Sequence, residues 1–518
     1  MIKRLCCLIL CLTLLPVWAL AENVEDSLII GMLSTKTTEL RPLTPKERDI
    51  ISLYGVIYES LVTIDDNGIP QPLLAETWAE SNGGKTWTFT LRENVTFSDG
   101  TPLTAQDVAA SGQYILSLAN NEEAADRGFY ANIRYMVDSF SATDDRTVVV
   151  KAKRSYYGIL YSLTFPVVPA SQVDMANPLG TGPYVVASFE AGSYMLLNAN
   201  PRWWQMQPQV QEITVTFYPN NKDMITAYEY GRVDTVFTRS VAAAQYKSGI
   251  SSLSITYETR QLETLLINHR ERSFPLDSLK VRQAIRYAIN KDLIAQNVYM
   301  GMTTRADTPI PSSSWLYLDQ ESTFVYNPDK ARELLAEDGW VDLDGTGVLN
   351  KVVAGADKPK NLVLSLYVYE DPENDVRFET ANMISDMLAA VGISVHIETV
   401  SYAECKQVLE NGSFDLALCA FQMDVAPDVG FFLRKGNSQN YGRYNSSEMT
   451  SLIDTLRTQE NQSDFAYTSQ AIQQQFAADV PFICLFYRTG AILTRKMYTT
   501  VRSIREFELL RGIEAFGR

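Results

Sequence analysis

Residues 414–433, FDLALCAFQMDVAPDVGFFL, gather the side chains best placed for binding chemistry. Leu416, Leu418 and Ala420 alternate as a strand does, and the chain then enters a loop carrying Gln422, Met423, Asp424 and Asp428. Open α/β sheets hold ligands just outside the carboxyl ends of their strands, and Asp424 stands at such an end. The same residue reads equally well as a solvated loop acid, with Asp428 as a nearby substitute. Phe421, Phe431 and Phe432 are candidate cleft walls, and core packing is the alternative for at least one of them.

Catalysis has less to work with. The chain holds two histidines, His269 and His396, neither with a metal-ligating partner close in sequence, so both read as structural. No G-x-S-x-G elbow, H-E-x-x-H helix or phosphate loop is present. Gly84-Lys85-Thr86 ends like a phosphate loop, but Ala79 stands where that loop needs glycine and a strand follows instead of a helix. Asp342-Leu343-Asp344-Gly345-Thr346-Gly347 suggests a calcium loop, yet Val353 occupies the position of its bidentate glutamate, which favours an ordinary turn. A binding protein is expected, with no catalytic residue, cofactor or resident metal.

The elements that must position Asp424 read as an α/β alternation. Strands over 362–369, 393–400 and 414–421, separated by helices over 377–391 and 402–410, predict a largely parallel sheet. Helices over 447–457 and 464–478 and a strand over 481–487 follow. Toward the N-terminus, residues 27–32 read as a buried strand and 49–61 as a helix. In residues 72–108, Trp87, Phe89 and Leu91 face one way and Thr86, Thr88 and Thr90 the other. Asn82-Gly83-Gly84 supplies the preceding turn, and Thr104 with Asp107 has the spacing of a helix capping box.

Residues 72–108, PLLAETWAESNGGKTWTFTLRENVTFSDGTPLTAQDV, resemble a signature of the extracytoplasmic solute-binding protein family 5, the peptide, dipeptide and nickel receptors of ABC importers. Gly180-Thr181-Gly182-Pro183-Tyr184 and residues 281–294, VRQAIRYAINKDLI, are similar to the same family. The resemblance implies a two-lobed periplasmic-binding-protein-like fold of the class II, cluster C type, with a ligand cleft between the lobes. It implies lobe I at 22–266 plus 489–518, with an inserted subdomain at about 60–180, and lobe II at 267–488. Hinge crossings are expected near 265–270 and 487–490. In peptide-binding relatives an aspartate at the position of Asp424 pairs with the ligand's α-amino group. Around it, Phe421 replaces a frequent tryptophan, Met423 a small residue, and Pro427-Asp428 reverses the usual Asp-Pro order. The implied ligand is an oligopeptide or dipeptide, and the implied partner is an ABC permease. A nickel chelate, opine or oligosaccharide is the alternative ligand, and a secreted hydrolase is the rival from another class.

Bulk properties agree with an extracytoplasmic receptor. At 518 residues, more than one core is needed. Lys3-Arg4, the apolar run 5–17 and Ala19-Leu20-Ala21 have the layout of a signal peptide cut after Ala21. Cys6, Cys7 and Cys11 lie too early for a usual lipoprotein site, so a released protein, periplasmic or associated with the cell surface, is expected. The formal net charge of −16 repels nucleic acid, so no nucleic-acid partner is expected, and a monomer is. Cys405, Cys419 and Cys484 remain after cleavage, an odd number that sets no disulfide framework.

Overall fold

Residues 27–121, 128–249, 252–270, 274–319, 325–370, 375–496 and 504–515 are described by the computed structural model. The expected signal peptide, 1–21, lies outside them. The architecture is mixed α/β, organised on one sheet of eleven strands. From one edge to the other its path runs Ser394–Val400, Val363–Tyr369, Leu416–Gln422, Leu253–Ile267, Phe482–Thr494, Thr235–Thr238, Ser27–Leu33, Glu212–Tyr218, Tyr194–Ala199, Tyr184–Glu190, and Thr303–Arg305 pairs with Phe482–Thr494.

The expected parallel sheet forms at one end. Val363–Tyr369 pairs in parallel with both Ser394–Val400 and Leu416–Gln422. Helices Val376–Ala389 and Tyr402–Asn411 form the crossovers, the second opened by a capping box between Ser401 and Glu404. A core of Leu265, Ile285, Leu366, Leu416 and Phe486 fills this end.

Two long antiparallel strands cross the middle. Leu253–Ile267 and Phe482–Thr494 pair along almost their whole length, with register shifts between Glu258 and Leu262 and between Glu263 and Thr264. A bulge of this kind bends a strand and turns its side chains, so the crossing pair changes direction where it passes the cleft. Glu263 on the first crossing strand receives Arg377 from the helix behind it, at 3.0 and 3.3 Å, with both side chains buried. Burial works against the Arg377 guanidinium, and Glu263 together with Tyr369 more than restores its charge.

Residues 72–108 fold as their pattern dictates. Asn82, Gly83 and Gly84 all take positive φ in the turn between Ala75–Ser81 and Thr86–Leu91. Trp87, Phe89 and Leu91 are buried, while the intervening threonines are half-buried. Thr104 and Asp107 close the capping box of helix Ala105–Asn120. With Thr147–Ala152 and Val137–Ala142 these strands make a separate four-stranded antiparallel sheet.

The glycines of the 180–184 run permit close approach rather than phosphate binding. A Cβ on Gly180 would lie 2.0 Å from the Ile57 carbonyl oxygen, and one on Gly182 at 2.8 Å. Beside them, buried Glu59 accepts from Thr181 at 2.9 Å, Trp203 at 3.1 Å and Trp204 at 2.8 Å, locking this turn to residues 203–205. The 342–347 loop is closed by its own residues, with Thr346 N donating to Asp342 and Asp344. His269 is structural in its contacts: Nε2 lies 2.7 Å from the Pro481 carbonyl oxygen, and burial with nearby Arg282 pushes the imidazole down to about 4. Cys405 and Cys484 are buried, Cys419 is half-buried, and all three are free thiols. Among the described residues, no helix is long and apolar enough to cross a membrane.

Candidate ligand-binding site

The strand Leu416–Gln422 keeps its register with the crossing strand as far as Gln422 opposite Gln261. Met423 N still donates to the Arg260 carbonyl oxygen at 2.8 Å, and the chain then turns away. Asp424 therefore emerges at the carboxyl end of the strand, as the sequence predicts. Three contacts fix it. Arg260 Nη1 donates to the Asp424 carbonyl at 2.6 Å, Val425 N donates to its Oδ1 at 2.6 Å, and the Asn132 side-chain amide donates to its Oδ2. Asn132 belongs to the short helix Ala131–Tyr135 on the facing side of the cleft. Among the described residues, no ion pair forms with the Asp424 carboxylate.

Two cavities meet at this aspartate. The first encloses about 200 Å³ between Ile64 and Tyr161 on one side, Glu258 and Arg260 on the crossing strand, Met423 and Val425, and Arg505 of the C-terminal segment. The second encloses about 310 Å³ between Asn132, Arg154 and Tyr156 on one side and Gln422, Asp428 and Phe431 on the other. The first is mostly apolar with a few convergent polar groups, as small-ligand sites are, and the second is lined about equally by polar and apolar groups. Tyr156 lines the second, and its hydroxyl is buried with no hydrogen-bond partner among the described residues. The hydroxyl lies against Gly158, where a Cβ would come within 2.4 Å of it, and is closed off from the cavity space.

The sequence candidates divide by what they touch. Gln422 and Phe431 line the second cavity and Met423 the first. Asp428 lines the second, but its carboxylate is already engaged by Arg457 Nε and Gly430 N, each at 2.7 Å. It pins the loop, so it does not substitute for Asp424 as a free acceptor. Phe421 lines neither cavity. It is 4% exposed and packs against Phe432 at 4.9 Å and Phe482 at 6.3 Å, behind the loop.

Asn132, Tyr156, Glu258, Arg260 and Arg505 are missing from the sequence reading. Each comes from a segment remote from residue 424, with no local motif, and only the tertiary fold brings them together. Glu258 is held above the ordinary carboxylate range by burial, against the pull of a Ser313 hydrogen bond and of Arg260. Arg260 is pushed down by burial and by neighbouring Arg505. Among the described residues no group of three or more His, Cys, Asp or Glu could hold a metal ion.

Comparison with known proteins gives this geometry a context. Residues 70–443 match the bacterial extracellular solute-binding proteins, family 5 middle region. The oligopeptide-binding protein AppA of Bacillus subtilis is 24% identical over 484 residues, covering 89% of this chain and 86% of that protein. The nickel-binding periplasmic protein of Escherichia coli is 28% identical over 312 residues, 57% of this chain and 58% of the relative. A solved structure of Bacillus subtilis AppA in complex with a nonapeptide superposes with a TM-score of 0.67 at 21% identity, covering 94% of this chain and 98% of the other.

Proposed function

We propose that the chain, which belongs to the bacterial extracellular solute-binding proteins of family 5 and so to the binding components of ABC importers, captures short peptides by their free amino end and passes them to a permease. The observation that carries this reading is Asp424. Its carboxylate sits at the junction of two cavities, held by neutral donors and paired with no cation among the described residues. An ammonium group entering there would gain a charge-assisted hydrogen bond to a carboxylate that is exposed in this structure. Arg154, Gln422 and Asn437 on the walls of the second cavity support a polar ligand continuing into it.

The lobes we infer are 22–266 with 489–518, and 267–488, the insertion spanning about 60–180. Supporting this division, the crossing strands Leu253–Ile267 and Phe482–Thr494 run between the two ends of the sheet, and a distinct core is built from 265–418 and 480–486. Asn132 and Asp424 would then face each other across the cleft. A ligand touching both sides favours the closed arrangement because its full set of contacts exists only there. The protein does no chemistry on its ligand in this account and releases it unchanged.

Titration calorimetry tests the ligand class. Tri-alanine is expected to bind with a dissociation constant of about 1 μM or tighter and to be recovered intact. Binding of a nickel–histidine chelate or an oligosaccharide, with no heat from alanine peptides of any short length, would reject the peptide reading. Cleavage of the peptide would instead favour a hydrolase.

A further inference from the structure

We infer that the first cavity is a side-chain pocket for a basic residue, with Glu258 at its wall as the group that selects a cationic first side chain on the captured peptide. The inference rests on the reading that Asp424 holds the peptide's amino end.

The cavity combines apolar walls with Glu258, an acid that forms no ion pair among the described residues. Ile64, Ile310, Val425 and Ile504 line it together with the rings of Tyr161 and Tyr487. Both tyrosine hydroxyls are engaged elsewhere, Tyr161 donating to the Gly68 carbonyl at 2.8 Å and Tyr487 to the Pro309 carbonyl at 2.7 Å. The rings therefore contribute carbon surface, which suits the aliphatic stem of a lysine or arginine while its charged head reaches a polar group.

The charged groups on the wall do not cancel. Asp66, Glu258, Asp424 and Glu506 line the cavity against Arg260 and Arg505. Asp66 is paired with Arg511 at 3.0 Å, Glu506 with Arg48, and Arg505 with Glu508 at 2.8 Å. Arg505 also donates to the carbonyls of Ile64 and Asp65, at 2.6 and 2.8 Å. What remains is Glu258, Asp424 and Arg260. Arg260 directs Nη1 to the Asp424 carbonyl, and it acts on Glu258 only as a nearby charge. Glu258 itself accepts from Ser313 Oγ at 2.9 Å and forms no ion pair among the described residues. With the ligand ammonium on Asp424 and Arg260 nearby, these charges sum to zero, yet Glu258 still has no direct ion pair among the described residues. A cationic head on the ligand's first side chain would give it one. A carboxylate there would meet Glu258 instead, and like charges so placed are unfavourable.

Three tripeptides of matched size separate the outcomes: Lys-Ala-Ala, norleucine-Ala-Ala and Glu-Ala-Ala, titrated by calorimetry into the wild-type protein and Glu258→Gln. Lys-Ala-Ala is expected to bind wild type about tenfold more tightly than norleucine-Ala-Ala, as one added charge-assisted contact gives, with Glu-Ala-Ala weakest. Glu258→Gln is expected to bring the lysine and norleucine peptides to equal affinity, the ratio being read within each protein, with circular dichroism reporting that the variant is folded. Equal binding of lysine and norleucine peptides by wild type would overturn the pocket assignment and leave the peptide reading standing, as would preference for Glu-Ala-Ala. Retention of the lysine advantage in Glu258→Gln would overturn the role of Glu258. Failure of all three peptides to bind wild type would overturn the peptide reading and this inference with it. The comparison within wild type decides the pocket question even if the variant does not fold.

Discussion

Asp424→Asn is expected to weaken binding of a free-amine tripeptide by about tenfold, the loss of one charge-assisted contact at an exposed carboxylate. The same peptide with its amino end acetylated is expected to change by no more than about threefold, because it brings no positive charge. The substitution suits the question because asparagine keeps the shape. Its side-chain oxygen can still accept from Val425 N, which donates to Asp424 at 2.6 Å, and the Arg260 bond to the Asp424 carbonyl does not involve the side chain. The loop should therefore stay in place while the charge is lost. Calorimetry with both peptides reads the two effects separately. Equal losses for both would mean that Asp424 supports the loop and does not hold the amine.

The second large effect concerns stability. Glu263→Gln is expected to destabilise the protein by about 3 kcal/mol, because it removes the buried carboxylate that faces the Arg377 guanidinium. Glu263 is 3% exposed and Arg377 4%, and Arg377 also lies over the Tyr369 ring with its guanidinium carbon 4.4 Å from the centroid. The pair joins the crossing strand to the first turn of Val376–Ala389, directly behind the strand that delivers Asp424. Replacing both residues, Glu263→Leu with Arg377→Met, is expected to be less damaging than Glu263→Gln, since the desolvation cost of both charges then disappears. Urea unfolding followed by fluorescence measures all three proteins. A double variant at least as unstable as the single would show that the hydrogen-bond geometry, rather than charge burial, sets the energetics.

How far the sequence could be read followed from how local each signal was. Residues 82–91 carry their own instructions, since Asn82-Gly83-Gly84 can adopt the turn and the Trp87, Phe89, Leu91 alternation chooses the buried face. The crossing strands carry none of this. Phe482–Thr494 is buried at all thirteen positions, so it shows no period of two, and the sequence reading ends it at Tyr487. The segment 253–264 mixes buried, half-buried and exposed positions and does not read as a strand. Its irregularity is the bulge that brings Glu258 and Arg260 to the cleft.

The candidate site shows the same division. Asp424 could be located because a parallel strand ends just before it, a rule that depends on local order alone. Its partner Asn132 lies 292 residues away, beyond the reach of any spacing argument. Phe421 looks like a cleft aromatic by composition, yet it pairs in register with Leu262 and turns into the core. Asp428 has the right chemistry for an amine acceptor, but Arg457 already occupies it. An acid is available to a ligand only if the fold leaves it unpaired, and pairing is a tertiary property.

The central claim is that the cleft at Asp424 holds a short peptide. Mass spectrometry of the small molecules released on denaturing protein purified from its native host tests it most directly. A mixture of short peptides with free amino ends is the predicted result. Stoichiometric recovery of a single sugar, opine or metal chelate, with no peptide, would contradict it.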